Sequence, residues 1–166
     1  MMIPLAVTGY EFSVFLHITA VVVGFGATFA EALAFPVAMR LDPRHLPYVH
    51  RLQLAINQYL ATPALVIVLA TGFYQVSDAD LSMGDFWLSG ALVIVILIGG
   101  ALGAYFIPTD RRLAAMVERE IRAAGPGEVK LSDEYQRQAR TEGIIGAVVG
   151  LLIVVAIYLM VTKPGL

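Results

Sequence analysis

The chain reads as an all-α protein, a bundle of four transmembrane helices with a cytoplasmic helical hairpin between helices 3 and 4. Three observations predict this. Four long apolar stretches run over residues 11–39, 52–77, 86–108 and 143–161, and each reaches the ~20 residues that a helix needs to cross the hydrocarbon core. A hydrophobic fraction of 58% with only 14% charged residues leaves too few charges to solvate the surface of a soluble domain. The basic residues are sorted between gaps: Arg40, Arg44 and Arg51 lie in the first, and Arg111, Arg112, Arg119, Arg122, Lys130, Arg137 and Arg140 in the third, with Lys163 alone elsewhere. Basic loops resist translocation, so both of those gaps are expected in the cytoplasm and both termini outside. Asp78, Asp80 and Asp85 in the middle gap have no basic companion, which agrees. Residues 1–166 then form one integral membrane domain in a lipid bilayer.

The first stretch, at about 29 residues or ~43 Å, is longer than a ~30 Å core and must tilt or project. Pro36 near its inner end and Pro63 inside the second stretch remove backbone donors, and a kink is expected at each. Gly24 with Gly26, Gly99 with Gly103 and Gly146 with Gly150 offer close-approach faces, for packing within the bundle or for the seam of a homodimer. Tyr10 and Trp87 fall at the outer ends of their helices and read as interfacial anchors. In the third gap, Leu113, Met116, Val117 and Ile121 recur at helical spacing among Arg and Glu, so the third helix should continue as an amphipathic extension as far as Gly125-Pro126-Gly127. Ser132, followed by Asp133 and Glu134, reads as the N-cap of a short helix leading into the fourth span. This hairpin is expected in solvent, on the membrane surface, or docked on a partner. Residues 36–41 and 108–113 share Pro-x-x-x-Arg-Leu, which fits either two related helical hairpins or a common stop pattern.

Several function classes drop out. A net charge of -2, with basic residues balanced by local acids, points to no nucleic-acid partner. Without cysteine there is no disulfide, iron–sulfur cluster or thiolate metal site. The first ten residues lack a basic n-region and a small-residue cleavage site, so the first helix is expected to be retained. No acyl-transfer triad, phosphate loop, paired carboxylate dyad or dinucleotide fingerprint is legible, and whether the chain is an enzyme stays open.

Polar groups inside a membrane are costly, so the few present are candidates for function. His17 and Glu31 lie fourteen residues apart on one stripe of the first helix with Gly24 midway, ~21 Å from end to end. His17 suits a haem or metal ligand, or a histidine satisfied by a neighbouring hydroxyl or carbonyl. Thr71 or Gln75 is at the right depth to accept from its second nitrogen, and Met160 is near enough to the outer level to stand opposite. Glu31 should meet Asn57, Gln58 or Tyr59 at similar depth, bonding across helices or handling protons or cations. His45 and His50, five apart in the first cytoplasmic gap, do not share a helical face and make a poor metal pair.

Leu16-His17, then Gly24-Phe25-Gly26, Thr62-Pro63 and Thr71-Gly72, resemble the opening half of the HemJ-type protoporphyrinogen oxidases and CopD-like copper proteins. The closing segment from Tyr158 to Pro164 more closely resembles an uncharacterised bacterial integral membrane family, a domain of unknown function. The resemblance implies a four-helix scaffold in a bacterial inner (plasma) membrane, with His17 at the position that HemJ-type proteins use for haem. Val23 stands where an aromatic is common in those proteins, and residues 88–105 carry no Lys or Arg. What transfers is therefore the scaffold and the haem position, not the oxidase reaction. Three functional readings follow: a small haem-associated redox or cofactor-binding bundle using His17, a non-catalytic accessory or assembly subunit of a membrane complex, and proton or cation handling through Glu31.

Overall fold

The structure is a computed structural model that describes residues 7–165. Four helices, α1 (Gly9–Ala38), α2 (Pro43–Asp78), α3 (Phe86–Ala124) and α4 (Asp133–Thr162), are each long and apolar enough to cross a membrane. No strand occurs among the described residues. The all-α four-span bundle is the architecture that the sequence predicts. Residues 1–6 of the amino-terminal stretch lie outside the described residues.

Helix ends follow local chemistry. Thr8 and Glu11 form a capping box at the start of α1: the Glu11 carboxylate accepts from the Thr8 backbone N–H and hydroxyl at 2.9 Å each, and Thr8 Oγ1 accepts from Glu11 N at 3.2 Å. Ser132 caps α4 by accepting from Tyr135 N at 3.2 Å. α3 stops at Gly125, whose φ of 58° favours a residue without a Cβ.

Each middle helix carries one π-turn, Asn57–Ala61 in α2 and Leu102–Phe106 in α3. A proline sits two residues beyond each, at Pro63 and Pro108. A proline ring collides with the carbonyl four residues back and offers no N–H, and the wider turn moves that carbonyl aside so that the helix can continue. Pro108 is therefore not a stop, and the kink expected at Pro63 takes the form of a π-turn. α1, by contrast, ends two residues past Pro36.

The expected hairpin between helices 3 and 4 is made by the helices themselves. α3 runs unbroken to Ala124, and α4 starts at Asp133 as one helix rather than a short helix followed by a span. α2 likewise begins well before residue 52. In the apolar region α1 packs on α2 and α3 on α4, while at the basic end the first turns of α2 pack on the extension of α3. Leu46, Leu113, Val117 and Tyr135 are fully buried there, so the amphipathic face of the extension is covered by the chain's own helices. Arg44 ties this end together, donating to the carbonyls of Gly125 at 2.7 Å and Gly127 at 2.8 Å.

Packing in the apolar region rests on small residues, because lipid removes the hydrophobic drive between helices. A Cβ on Gly24 would overlap Ala64, and one on Gly99 would sit 2.8 Å from Leu65 Cδ2. Gly26, Gly100 and Gly103 face open space. Trp87, read as an interfacial anchor, packs inward at the first turn of α3. It is 3% exposed within the α3–α4 core, with Lys163 Nζ 5.2 Å from its ring centroid, whereas Tyr10 is exposed.

Candidate functional site

Three carboxyl groups from three helices meet at the basic end of the bundle. Glu31 comes from α1, Asp110 from α3 and Glu142 from α4, and all three are buried. They line one cavity of about 290 Å³ together with Gln53 and Asn57 of α2. Helical spacing explains the convergence. Asp110 shares a stripe with Leu113, Ala114 and Val117, Glu142 shares one with Tyr135 and Ala139, and Leu46, Val49, His50, Gln53 and Asn57 repeat on the inner face of α2. Each stripe is mostly apolar, with His50 and Tyr135 paired beside the cavity, and turns polar where it reaches the lining.

Hydrogen bonds hold parts of this set. Asn57 Nδ2 donates to Asp110 Oδ2 at 3.0 Å. The Asn57 carbonyl, freed by the π-turn from its usual partner, accepts from Thr62 N and from Thr62 Oγ1 at 2.8 Å. His50, fully buried, pairs with the Tyr135 hydroxyl at 2.8 Å. The Asp110 and Glu142 carboxyls interact directly. One ligand atom each from His50, Asp110 and Glu142 falls within 4.8 Å of the others.

Besides the Gln53 amide oxygen, two carboxyl oxygens of the lining are left over. Glu31 Oε1 and Asp110 Oδ1 are buried without a hydrogen-bond partner. Among the described residues no Lys or Arg lines the cavity. The described ion pair, Arg51 with Glu118, is at the surface. A cluster of lone pairs inside a low-dielectric bundle is stable only if protons or cations supply the missing positive charge. On one flank, Gly143 and Gly146 line the cavity with no atom within 4 Å of an added Cβ, so the small residues of α4 keep that flank open.

The second polar cluster lies at the opposite end. His17, half-buried on α1, has Nδ1 2.8 Å from Thr71 Oγ1, and that hydroxyl donates to the Ile67 carbonyl at 2.6 Å. With its single proton so used, Thr71 accepts from the imidazole, which sets the Nδ1–H tautomer and leaves Nε2 as an acceptor. Ser13 Oγ donates to the Thr71 carbonyl and accepts from Gln75 Nε2, both at 3.3 Å. His17, Gln75, Met83, Trp87 and Met160 line a cavity of about 340 Å³. Gly72 faces the imidazole, and a Cβ there would lie in ordinary van der Waals contact, 3.6 Å from His17 Cε1.

A family model described as "Predicted integral membrane protein (DUF2269)" matches residues 12–164. The chain belongs to the DUF2269 family. No curated protein and no solved structure matches the chain. Membership agrees with the resemblance of the closing Tyr158–Pro164 segment to an uncharacterised membrane family, while the likeness to HemJ-type and CopD-like proteins rests on short motifs alone.

Of the residues singled out in the sequence, this DUF2269 chain brings Glu31 and Asn57 into one cavity but does not bond them, because Asn57 serves Asp110. Gln58 is half-buried outside that lining, and Tyr59 is 75% exposed. Reading the apolar stretches as ending at residues 52, 108 and 143 placed His50, Asp110 and Glu142 in loops and hid the carboxyl pair that α3 and α4 form. The signal was present: each of the three sits on the apolar stripe of a helix extension.

Proposed function

We propose that this integral membrane protein handles protons or cations at the Glu31, Asp110 and Glu142 cavity, which opens toward the cytoplasm of a bacterial cell whose plasma membrane it spans with both termini outside. The observation that carries this reading is the pair of buried carboxylate oxygens, Glu31 Oε1 and Asp110 Oδ1, with no donor and no basic side chain lining their cavity. Infrared difference spectra between acid and alkaline pH, on chelator-treated protein, test it. The wild type is expected to show carbonyl-stretch changes from protonating buried carboxyls that vanish in the triple variant Glu31→Gln/Asp110→Asn/Glu142→Gln. Identical spectra would remove the reading. Orientation follows from the sorting of basic residues, and a reporter fused after Lys163 is expected outside; a cytoplasmic reporter would reverse it.

A second reading, haem or another axially ligated cofactor at His17, draws on a different observation. The Thr71 hydroxyl orients the imidazole as an outer partner orients a metal-bound histidine, leaving Nε2 as the ligand atom. His17 would supply a nitrogen ligand to such a group, and the Met83 and Met160 side chains line the same cavity. Bound haem would supply one-electron chemistry, and the chain would contribute the ligand and a dry holder. A Soret band in protein expressed with ample haem, lost in His17→Ala, is the expected result; its absence in the wild type excludes haem. The accessory-subunit or homodimer reading draws on Gly26, Gly100 and Gly103, the small positions with open space before them.

A further inference from the structure

We propose that His50, Asp110 and Glu142 are the ligands of a divalent first-row transition-metal ion, such as Mn²⁺ or Zn²⁺, bound where α2, α3 and α4 meet. This rests on the cation reading above and narrows it to one class of ion.

The donor set makes the choice. Three ligand atoms, one imidazole nitrogen and two carboxylate oxygens, already lie within 4.8 Å of one another. At metal–ligand distances of about 2.1 Å, ligand atoms of one ion stand about 3 Å apart at neighbouring positions and about 4.2 Å apart when trans, so closure asks for shifts of up to about 1 Å per side chain. All three residues are buried, at 0% exposure for His50, 1% for Asp110 and 6% for Glu142. Imidazole suits first-row transition ions, whereas Mg²⁺ and Ca²⁺ prefer all-oxygen sites and Mg²⁺ dehydrates reluctantly. The chain has no cysteine and no methionine lines this cavity, so the soft ligands that select Cu(I) are absent from its lining.

A second observation points to a ligand independently of the acidic cluster. Glu31, nine-tenths buried on α1, lines the same cavity with Oε1 unmatched by any donor, and Asp110 Oδ1 is likewise unmatched. Three ionised carboxyls carry a charge of -3 with no basic side chain lining the cavity, so a divalent ion and one shared proton neutralise the set. Outer partners are in place as well: the Tyr135 hydroxyl holds the His50 ring at 2.8 Å, and Asn57 Nδ2 holds Asp110 at 3.0 Å. These are the contacts that orient ligands and raise affinity. The open flank at Gly143 and Gly146 offers a path for the ion.

The test uses the full chain in detergent micelles, stripped with chelator and then dialysed against Mn²⁺ alone, with bound metal counted per chain. One equivalent is expected, not displaced by equal Mg²⁺ or Ca²⁺. Pulsed electron paramagnetic resonance of bound Mn²⁺ should show coupling to one imidazole nitrogen that disappears in His50→Gln. Asp110→Asn and Glu142→Gln, close in shape to the native side chains, should each weaken binding at least tenfold, and Tyr135→Phe about tenfold through the freed ring. The proposal is overturned if the wild type holds no stoichiometric ion, if Mg²⁺ displaces Mn²⁺ at parity, or if Asp110→Asn binds like the wild type. Should Mn²⁺ fail to bind while the infrared signal of buried carboxyls persists, the metal site falls and the proton reading stands; loss of both removes both.

Discussion

The two polar clusters of this bundle, one at each end, solve the same problem in opposite ways. Around His17 the network is neutral: Thr71, Ser13 and Gln75 pass hydrogen bonds along to the imidazole, and the group that the cavity lining leaves without a partner is an uncharged donor, Trp87 Nε1–H. Around Glu31, Asp110 and Glu142 acceptor oxygens outnumber donors, and two carboxyl oxygens stay unmatched beside the Gln53 amide oxygen. A neutral network stiffens the packing of α1 on α2. An unsatisfied anionic one stores a demand for positive charge, and the proposed proton or cation handling rests on that demand. The difference teaches that burial of polar groups is not by itself the mark of a site; the mark is burial that the chain leaves uncompensated.

Substitution should separate the two ends by the sign of its effect. In chelator at alkaline pH, Asp110→Asn is expected to stabilise the bundle by about 3 kcal/mol, because it removes one buried carboxyl and keeps an oxygen for Asn57. Unfolding titrations in mixed micelles measure this. A loss of stability would mean that the three carboxyls are already compensated. Smaller and opposite, Gly24→Ala should destabilise by about 1–3 kcal/mol, since its Cβ would overlap Ala64 on the facing helix. Gly26→Ala, facing open space, is the control and should lie within about 0.5 kcal/mol of the wild type.

At the neutral end, Thr71→Val should cost about 1 kcal/mol by taking away the acceptor of the imidazole N–H. It should also leave metal uptake at the other end unchanged. A coupled change in Mn²⁺ affinity would show that the two clusters communicate along α1 and α2. The smallest effect is expected for Arg51→Ala, whose exposed pairing with Glu118 is worth about 0.5 kcal/mol and should fade with added salt. A larger loss would place Arg51 in the electrostatics of the cavity.

How much was legible in advance varies along the chain. Apolar length is a one-dimensional property, so the four spans could be read from residues 11–39, 52–77, 86–108 and 143–161 without any fold. Capping chemistry was equally local at Ser132 and Gly125. The ends of the helices were not, because hydropathy reports where lipid begins and not where hydrogen bonding stops; α2 and α3 extend beyond residues 52 and 108, held there by the packing of Leu46 and Val49 with Leu113 and Val117. That error moved His50, Asp110 and Glu142 out of view.

By itself, the sequence determined that this is an integral membrane protein of four helices, and it marked Glu31 as a carboxyl too costly to stand alone in lipid, since both follow from the composition of single segments. Only the tertiary structure decided what Glu31 faces. Asp110 is 79 positions and Glu142 111 positions farther along the chain, on helices whose rotation about their own axes is set by the small residues and apolar stripes that pack them. A contact between such residues is a property of three helices at once, and no segment carries it alone.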